Sequence, residues 1–412
     1  MTAGTASFAP RGRATWYSWL LTGFYLYSVN LQGNVVPFLQ AEFALSYRAV
    51  SLHSSAIAAG IILVGLFGDR VEARLGRRRT LWLGIGGLAG GGILLCLAPA
   101  PWASLSACFL MGALGGLLPA IVPAVLADLH GARRAEAYAG QAIVAYVFGL
   151  AAPLLAGAAI WAELGWRAAV LLGAAASIAT GLGFRRMKLP EPAQPPASIT
   201  SNSKLPAAYW AYWALLIAAC ALEFCLLFWA PSYLERIVGF EPAMAATAAA
   251  GFPLGMLLGR IALRTLVARV ALRRLLIGAL ALVFIGFLIY WGVDWPAPVR
   301  KVGVVAGVFV IGLGIAPLYP LVTDFAIGAA PKTRDLASMR LVIALGLALL
   351  LAPIALGALA DELGLGPAHL ALPALIILAY LSFFIGQALQ ARDQVSGIRN
   401  RKEQERTVPS DT

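Results

Sequence analysis

The chain has 412 residues and a net charge of +12, yet 60% of its residues are hydrophobic and only 12% are charged. An apolar excess of this size exceeds what soluble domains bury, and the basic residues lie scattered between apolar runs instead of forming one polar unit. This excludes a soluble enzyme and a nucleic-acid-binding domain and leaves a polytopic, all-α integral membrane protein.

A spanning helix needs about 20 apolar residues. Such runs are predicted at 15–38, 49–69, 80–99, 102–128, 135–159, 166–184, 207–231, 243–264, 274–293, 302–325, 336–359 and 368–390, twelve in all. The first follows Arg11 and Arg13 and is too long for a signal-peptide core, so it reads as a retained helix. Within it, "YSVNLQGNVVP" carries Asn30, Gln32 and Asn34, with Asn30 and Asn34 one turn apart on a shared face. These amides suit the hydroxyls or carboxylates of a solute, and they equally suit a bridge between helices. Helix 2 ends in "GDRVEARLGRRRT", Gly68 to Thr80, a basic loop containing Asp69, Arg70, Glu72, Arg74, Gly76, Arg77 and Arg78. Helix 4 contributes Pro119 and Pro123, and helix 5 offers Gln141 and Tyr146 as cavity candidates.

The stretch 185–206 is rich in Pro and Ser and reads as a linker between an N-terminal bundle (1–184) and a C-terminal one (207–391), followed by a basic tail (392–412). Helix 7 holds Glu223 in "CALEFCLLFWAP", near mid-helix and without a Lys or Arg in the same helix. A carboxylate placed there is costly. It reads as a proton coupler, as a counter-ion for a cationic solute, or as a hydrogen-bonded packing group. Helix 10 contains "GLGIAPLYPLVTD", where two prolines free backbone carbonyls, Tyr319 offers a ring and a hydroxyl, and Asp324 closes the helix beside Arg334 and Arg340 of helix 11. The four cysteines fall inside apolar runs and read as inert packing groups.

An offset of 194 pairs Trp16 with Trp210, Trp19 with Trp213, Pro37 with Pro231, Gly65 with Gly259, Arg70 with Arg264 and Gly84 with Gly278. Near 200, "APLLAGAAIWAELG" falls over "APIALGALADELG". The chain therefore reads as two six-helix bundles related by internal repeat. Basic residues gather in the N-terminal tail, the even-numbered loops and the C-terminal tail, the exceptions being Arg48, Arg167, Arg236, Arg300 and Lys301. The positive-inside rule then places both termini in the cytoplasm.

On these features the chain resembles the major facilitator superfamily over essentially its whole length. The basic loop is similar to the family signature of Gly, three residues, Asp-Arg, one residue, Gly-Arg-Arg. "RLGRRR" (Arg74 to Arg79) fits the second part, while the acidic slot falls on Ala73, one turn from Asp69. The resemblance implies an acid, carried here by Asp69, that rests against the helix 11 N-terminus, with Arg334 and Arg340 as candidate partners. It also implies a central cavity lined by helices 1, 4, 7 and 10. "GWR" before helix 6 is a further family feature, and Gly140, Gly149 and "APLLAG" partly match a glycine series of its exporters. The helix 4 arginine of its drug and proton antiporters is replaced by Cys108.

No nucleotide-binding loop, metal cluster or catalytic constellation appears, so no cofactor and no enzymatic activity are expected. The predicted function is secondary active transport of a small organic solute by a monomer in the inner membrane of a bacterium, with protons and membrane lipids as further partners. Arg outnumbers Lys 26 to 5, in keeping with a GC-rich genome. Proton-driven export is favoured over proton-coupled uptake, and a channel or membrane-embedded enzyme is a remote alternative.

Overall fold

The computed structural model describes residues 12–187, 189–190, 205–292, 296–331 and 333–407. Arg11 and most of the predicted linker lie outside them. The described residues are helical with short turns and contain no strand. A bilayer core offers no water to backbone groups, so a chain this apolar satisfies them within helices.

Twelve elements follow in order. They are α1 (Arg13–Glu42), α2 (Tyr47–Leu75), α3 (Arg77–Leu97), α4 (Pro101–Leu110, Met111–Gly115 and Leu117–His130), α5 (Arg134–Trp161) and α6 (Gly165–Gly183). The second set is α7 (Ala207–Arg236), α8 (Pro242–Ala248 and Gly251–Leu266), α9 (Leu272–Trp291), α10 (Ala297–Ile315 and Leu318–Ala329), α11 (Arg334–Leu363) and α12 (Leu365–Ala368 and Ala371–Thr407). Ten helical stretches are long and apolar enough to cross a membrane. One of them, Pro101–Trp161, folds back at Gly131–Arg133, where the Tyr138 hydroxyl donates to the Pro123 carbonyl, and so covers both α4 and α5. The polar residues of α1 keep it outside that set although it packs as a helix of equal length.

Four elements are interrupted, and in α4, α8 and α10 the interruption has the same cause. A proline cannot donate to the carbonyl four residues earlier and its ring crowds that carbonyl. Pro119 follows Gly115, the end of a π-turn in α4; Pro253 follows Ala249 in the break of α8; Pro320 follows Ala316 in the break of α10. Between α2 and α3 the chain reverses at Gly76, whose φ of 75° favours glycine.

The repeat holds at the level of atoms. Trp19 of α1 donates from Nε1 to the Ala137 carbonyl of α5, and its sequence counterpart Trp213 of α7 donates to the Arg340 carbonyl of α11. Each bundle thus ties its first helix to its fifth with an indole. Large apolar side chains including Leu66, Trp102, Val302 and Leu381 are exposed on the outside, as a lipid-facing belt requires.

The two bundles meet along a seam at the face opposite the basic loops. There Ser54 and Ser55 of α2 donate to the Leu349 and Leu350 carbonyls of α11. Gly33 of α1 lies against the Leu227 backbone of α7, and Gly157 of α5 against Thr247 of α8, approaches so close that an added Cβ would clash. Asp361 closes the seam, its two carboxylate oxygens accepting from the N–H groups of Tyr47 at 2.7 Å and Arg48 at 3.0 Å. A helix N-terminus leaves its first N–H groups unpaired and carries partial positive charge, so an acid from the other bundle caps α2.

Asp361→Ala should weaken this closure by about 1–2 kcal/mol, the range for losing a helix cap. A thiol at the buried position 54 (Ser54→Cys) should then react with a membrane-impermeant maleimide roughly five- to thirtyfold faster than with Asp361 intact.

Candidate functional site

Glu223 lies halfway along α7, and among the described residues no other Asp, Glu, Lys or Arg falls in the middle third of any of the elements α1 to α11. Most of α7 is buried, but a stripe through Trp213, Ile217, Phe224 and Leu227, flanked by Glu223, stays partly accessible. Residues three and four apart share a helix face, so this stripe turns Glu223 toward the space between the bundles.

Three residues from other elements converge on it. Arg260 of α8 acts on Glu223 electrostatically, and both act on Tyr146 of α5 and Tyr319 of α10. The Arg260 guanidinium lies 4.7 Å from the centroid of the Tyr146 ring, a cation–π contact between the two bundles. Its Nε is buried and has no hydrogen-bond partner. Glu223 and Arg260 do not form an ion pair within 4.0 Å among the described residues, so the acid and the base face each other across a gap.

Arg260 is the residue that sequence reading missed. It lies inside a run predicted as a span, yet the charge pattern of the sequence counts it with the basic face. Six residues, about 9 Å, separate it from the end of α8. That is far enough in for an α-helical side chain, which leans toward the N-terminus, to reach the site.

The predicted cavity amides go elsewhere. Asn30 donates to the Leu26 carbonyl and Asn34 to the Asn30 carbonyl, each one turn back along α1. Both border a small cavity with Pro153, Leu226, Pro231 and Phe252, and the Oδ1 of Asn34 is buried without a hydrogen-bond partner. Gln32 turns into a separate cavity inside the first bundle, beside Tyr27, Leu88 and Cys108. Gln141 donates to the Thr22 hydroxyl and ties α5 to α1. The structure therefore brings Glu223, Tyr146 and Tyr319 together and leaves Asn30, Gln32 and Gln141 outside that group.

At the basic face, Arg77 is the organising cation. It is 7% exposed and pairs with Glu72 at 2.9 Å and Asp128 of α4 at 2.6 Å, while also donating to the Pro190 carbonyl. The reversal at Gly76 aims Arg77 inward, and Arg78 donates to the Arg185 carbonyl where the linker begins. Asp69, the acid assigned to the latch from the sequence, is exposed and makes no ion pair among the described residues; Glu72 takes that part within the loop. Arg70 lies over the Phe67 ring, and Arg74, Asp324, Arg334 and Arg340 are likewise exposed without an ion pair. Among the described residues no hydrogen bond or ion pair joins Asp69 to the N-terminus of α11, while the far ends of the same two helices are joined by Asp361.

Arg77→Ala should leave Glu72 and Asp128 uncompensated and lower stability by about 2 kcal/mol. That is less than for a fully buried pair because both acids keep some contact with solvent. Arg74→Ala should change stability by no more than about 0.5 kcal/mol, as surface substitutions do. Thermal unfolding of the two variants in detergent checks both.

The arrangement can be set beside known proteins. Three solved structures share the fold at 14–15% identity. The inward-facing, unoccupied structure of a bacterial homologue of the human lysosomal transporter Spinster matches with a TM-score of 0.72, covering 94% of this chain and 99% of that one at 15% identity. The nucleoside transporter NupG matches at 0.68, with 92% and 99% covered and 14% identity. The D-xylose-proton symporter matches at 0.67, with 91% and 96% covered and 15% identity. A search of curated protein sequences finds no match. The sequence model of the Major Facilitator Superfamily matches residues 18–353, and the chain belongs to that superfamily of multi-pass transporters.

Proposed function

We propose that the chain is a proton-coupled secondary active transporter, working as a single chain, in which Glu223 carries the coupling proton and a small organic solute binds between the bundles. The observation that carries this reading is the site itself: a lone mid-helix acid facing a base across a gap, bridged by rings from both bundles. A charge is tolerated at that depth only when it is compensated. When the base turns to a solute, the acid is left to be neutralised by a proton.

Orientation follows from charge. The basic face belongs on the cytoplasmic side of a bacterial inner membrane, with both termini there, and its exposed arginines suit anionic lipid head groups. The seam at the opposite face makes this conformation closed to the outside. Closure of the cytoplasmic face would bring Asp69 onto the N-terminus of α11, near Arg334 and Arg340. Rocking about the midplane site between these two closures is alternating access.

The site favours symport. Solute and proton arrive together because each replaces one half of the Glu223–Arg260 compensation. The glycine series of α5, which points to export in the sequence, has a packing explanation: Gly149 meets Asn30 and Gly157 meets Thr247.

Proteoliposomes holding a pH-sensitive dye test this against a panel of sugars, nucleosides, amino acids and organic acids. A substrate should acidify the interior as it enters and accumulate under an inward proton gradient. Glu223→Gln should abolish accumulation while exchange of labelled for unlabelled substrate persists. Undiminished uphill transport in that variant overturns the coupling role, and solute-evoked alkalinisation overturns symport in favour of antiport.

A further inference from the structure

We infer that the solute is a monocarboxylate, bound at Arg260. The inference rests on the coupling role proposed for Glu223, and three observations carry it beyond that role. The buried Nε of Arg260 has no hydrogen-bond partner, although a buried guanidinium ordinarily satisfies its donors. Its electrostatic partner Glu223 stays beyond 4.0 Å, so the guanidinium is compensated in charge and engaged with Tyr146 while its Nε edge is unused in hydrogen bonding. A planar fork with a free edge matches a carboxylate in two parallel bonds. Finally, Tyr146 lies under the guanidinium, and Tyr319 and Cys220 border the same acid and base, so the surroundings are aromatic and apolar with two hydroxyls and a thiol.

Counting charge selects a single negative charge. An ionised Glu223 opposite the Arg260 guanidinium makes the empty site neutral. A carboxylate at Arg260 adds −1, and one proton on Glu223 restores neutrality, so loaded and empty carriers both cross the low-dielectric midplane uncharged. A dianion would leave an excess of −1, and an uncharged solute would leave the fork unused and bring no reason for the proton. The groups facing Glu223 are Arg260, Cys220, Tyr146 and Tyr319; of these only Arg260 is charged at neutral pH, so the balance involves no further ion. Each transport event moves one carboxylate and one proton in the same direction, and no covalent bond is made or broken.

The test is a thermal-shift titration of the purified full-length protein with aliphatic, hydroxylated and aromatic monocarboxylates, the matching neutral amides, and inorganic phosphate. A monocarboxylate should stabilise the protein, more strongly at lower pH, while its amide and phosphate do not. Arg260→Gln should weaken that binding roughly 10- to 100-fold, the worth of charge-assisted hydrogen bonds. Glu223→Gln should keep the binding and lose its pH dependence. The unfolding midpoint of each unliganded variant reports folding, and Arg260→Lys, which keeps the charge without the fork, should bind more weakly than the parent and more tightly than Arg260→Gln. Equal stabilisation by acid and amide, no stabilisation by any monocarboxylate, or unchanged binding in Arg260→Gln overturns the inference. The two proposals fail separately. Proton-coupled accumulation of an uncharged solute removes only the monocarboxylate, whereas carboxylate binding with transport indifferent to Glu223→Gln removes only the coupling role.

Discussion

A carboxylate in the middle of a membrane helix must be compensated by a positive charge or a proton, and the groups gathered around the centre answer that demand. Neither α7 nor any first-bundle helix carries a cation at that depth, so the answer comes from Arg260, which reaches in from one turn and a half inside α8. Its stem spans the distance that its backbone does not. The same guanidinium rests on Tyr146 of the other bundle, which makes the charge compensation of one half a contact of both. The site is therefore part of the interface between the bundles, and a solute bound there as proposed would act on that interface directly.

Around this centre the two faces are held by different means. At the seam, glycines allow α1 to approach α7 and α5 to approach α8 backbone to backbone, which favours dispersion contacts and serine-to-carbonyl bonds. At the basic face the polar contacts described above stay within a bundle: Arg77 draws α2, α3 and α4 together, and Trp213 ties α7 to α11. One face is glued by shape and the other is rigidified by charge. Charged, solvated surfaces separate readily, whereas small-residue surfaces in lipid have no water to separate into.

Much of this was legible in the sequence. Lengths of apolar runs reported the helices, the offset of 194 reported the repeat, and the tryptophans it paired prove to make the same bond in each bundle. Glu223 was legible because a charge stands out in an apolar run. Arg260 was not, because counting from a span's end treats a long side chain as if it ended at its Cα. The facing of Gln32 and Gln141 was equally hidden. In helices that are apolar all round, periodicity carries no direction, and a polar group is as well satisfied by a neighbouring helix within its bundle as by a solute. Asp361 belongs to the same class: its partners are backbone N–H groups, which have no sequence signature.

The antiparallel pair α2 and α11 gives the seam a property of its own. Each helix carries an acid near its C-terminal end, Asp361 lying over the start of α2 at one face and Asp69 standing at the end of α2 on the face where α11 begins. Under the proposed rocking of the bundles as rigid bodies, closing one end would part the other, and the two acids would act as opposite pans of a balance. The resting tilt of the carrier is then a difference between two similar terms, small by construction. A modest change at either rim, far from Glu223, is enough to reset which side of the membrane the empty site faces.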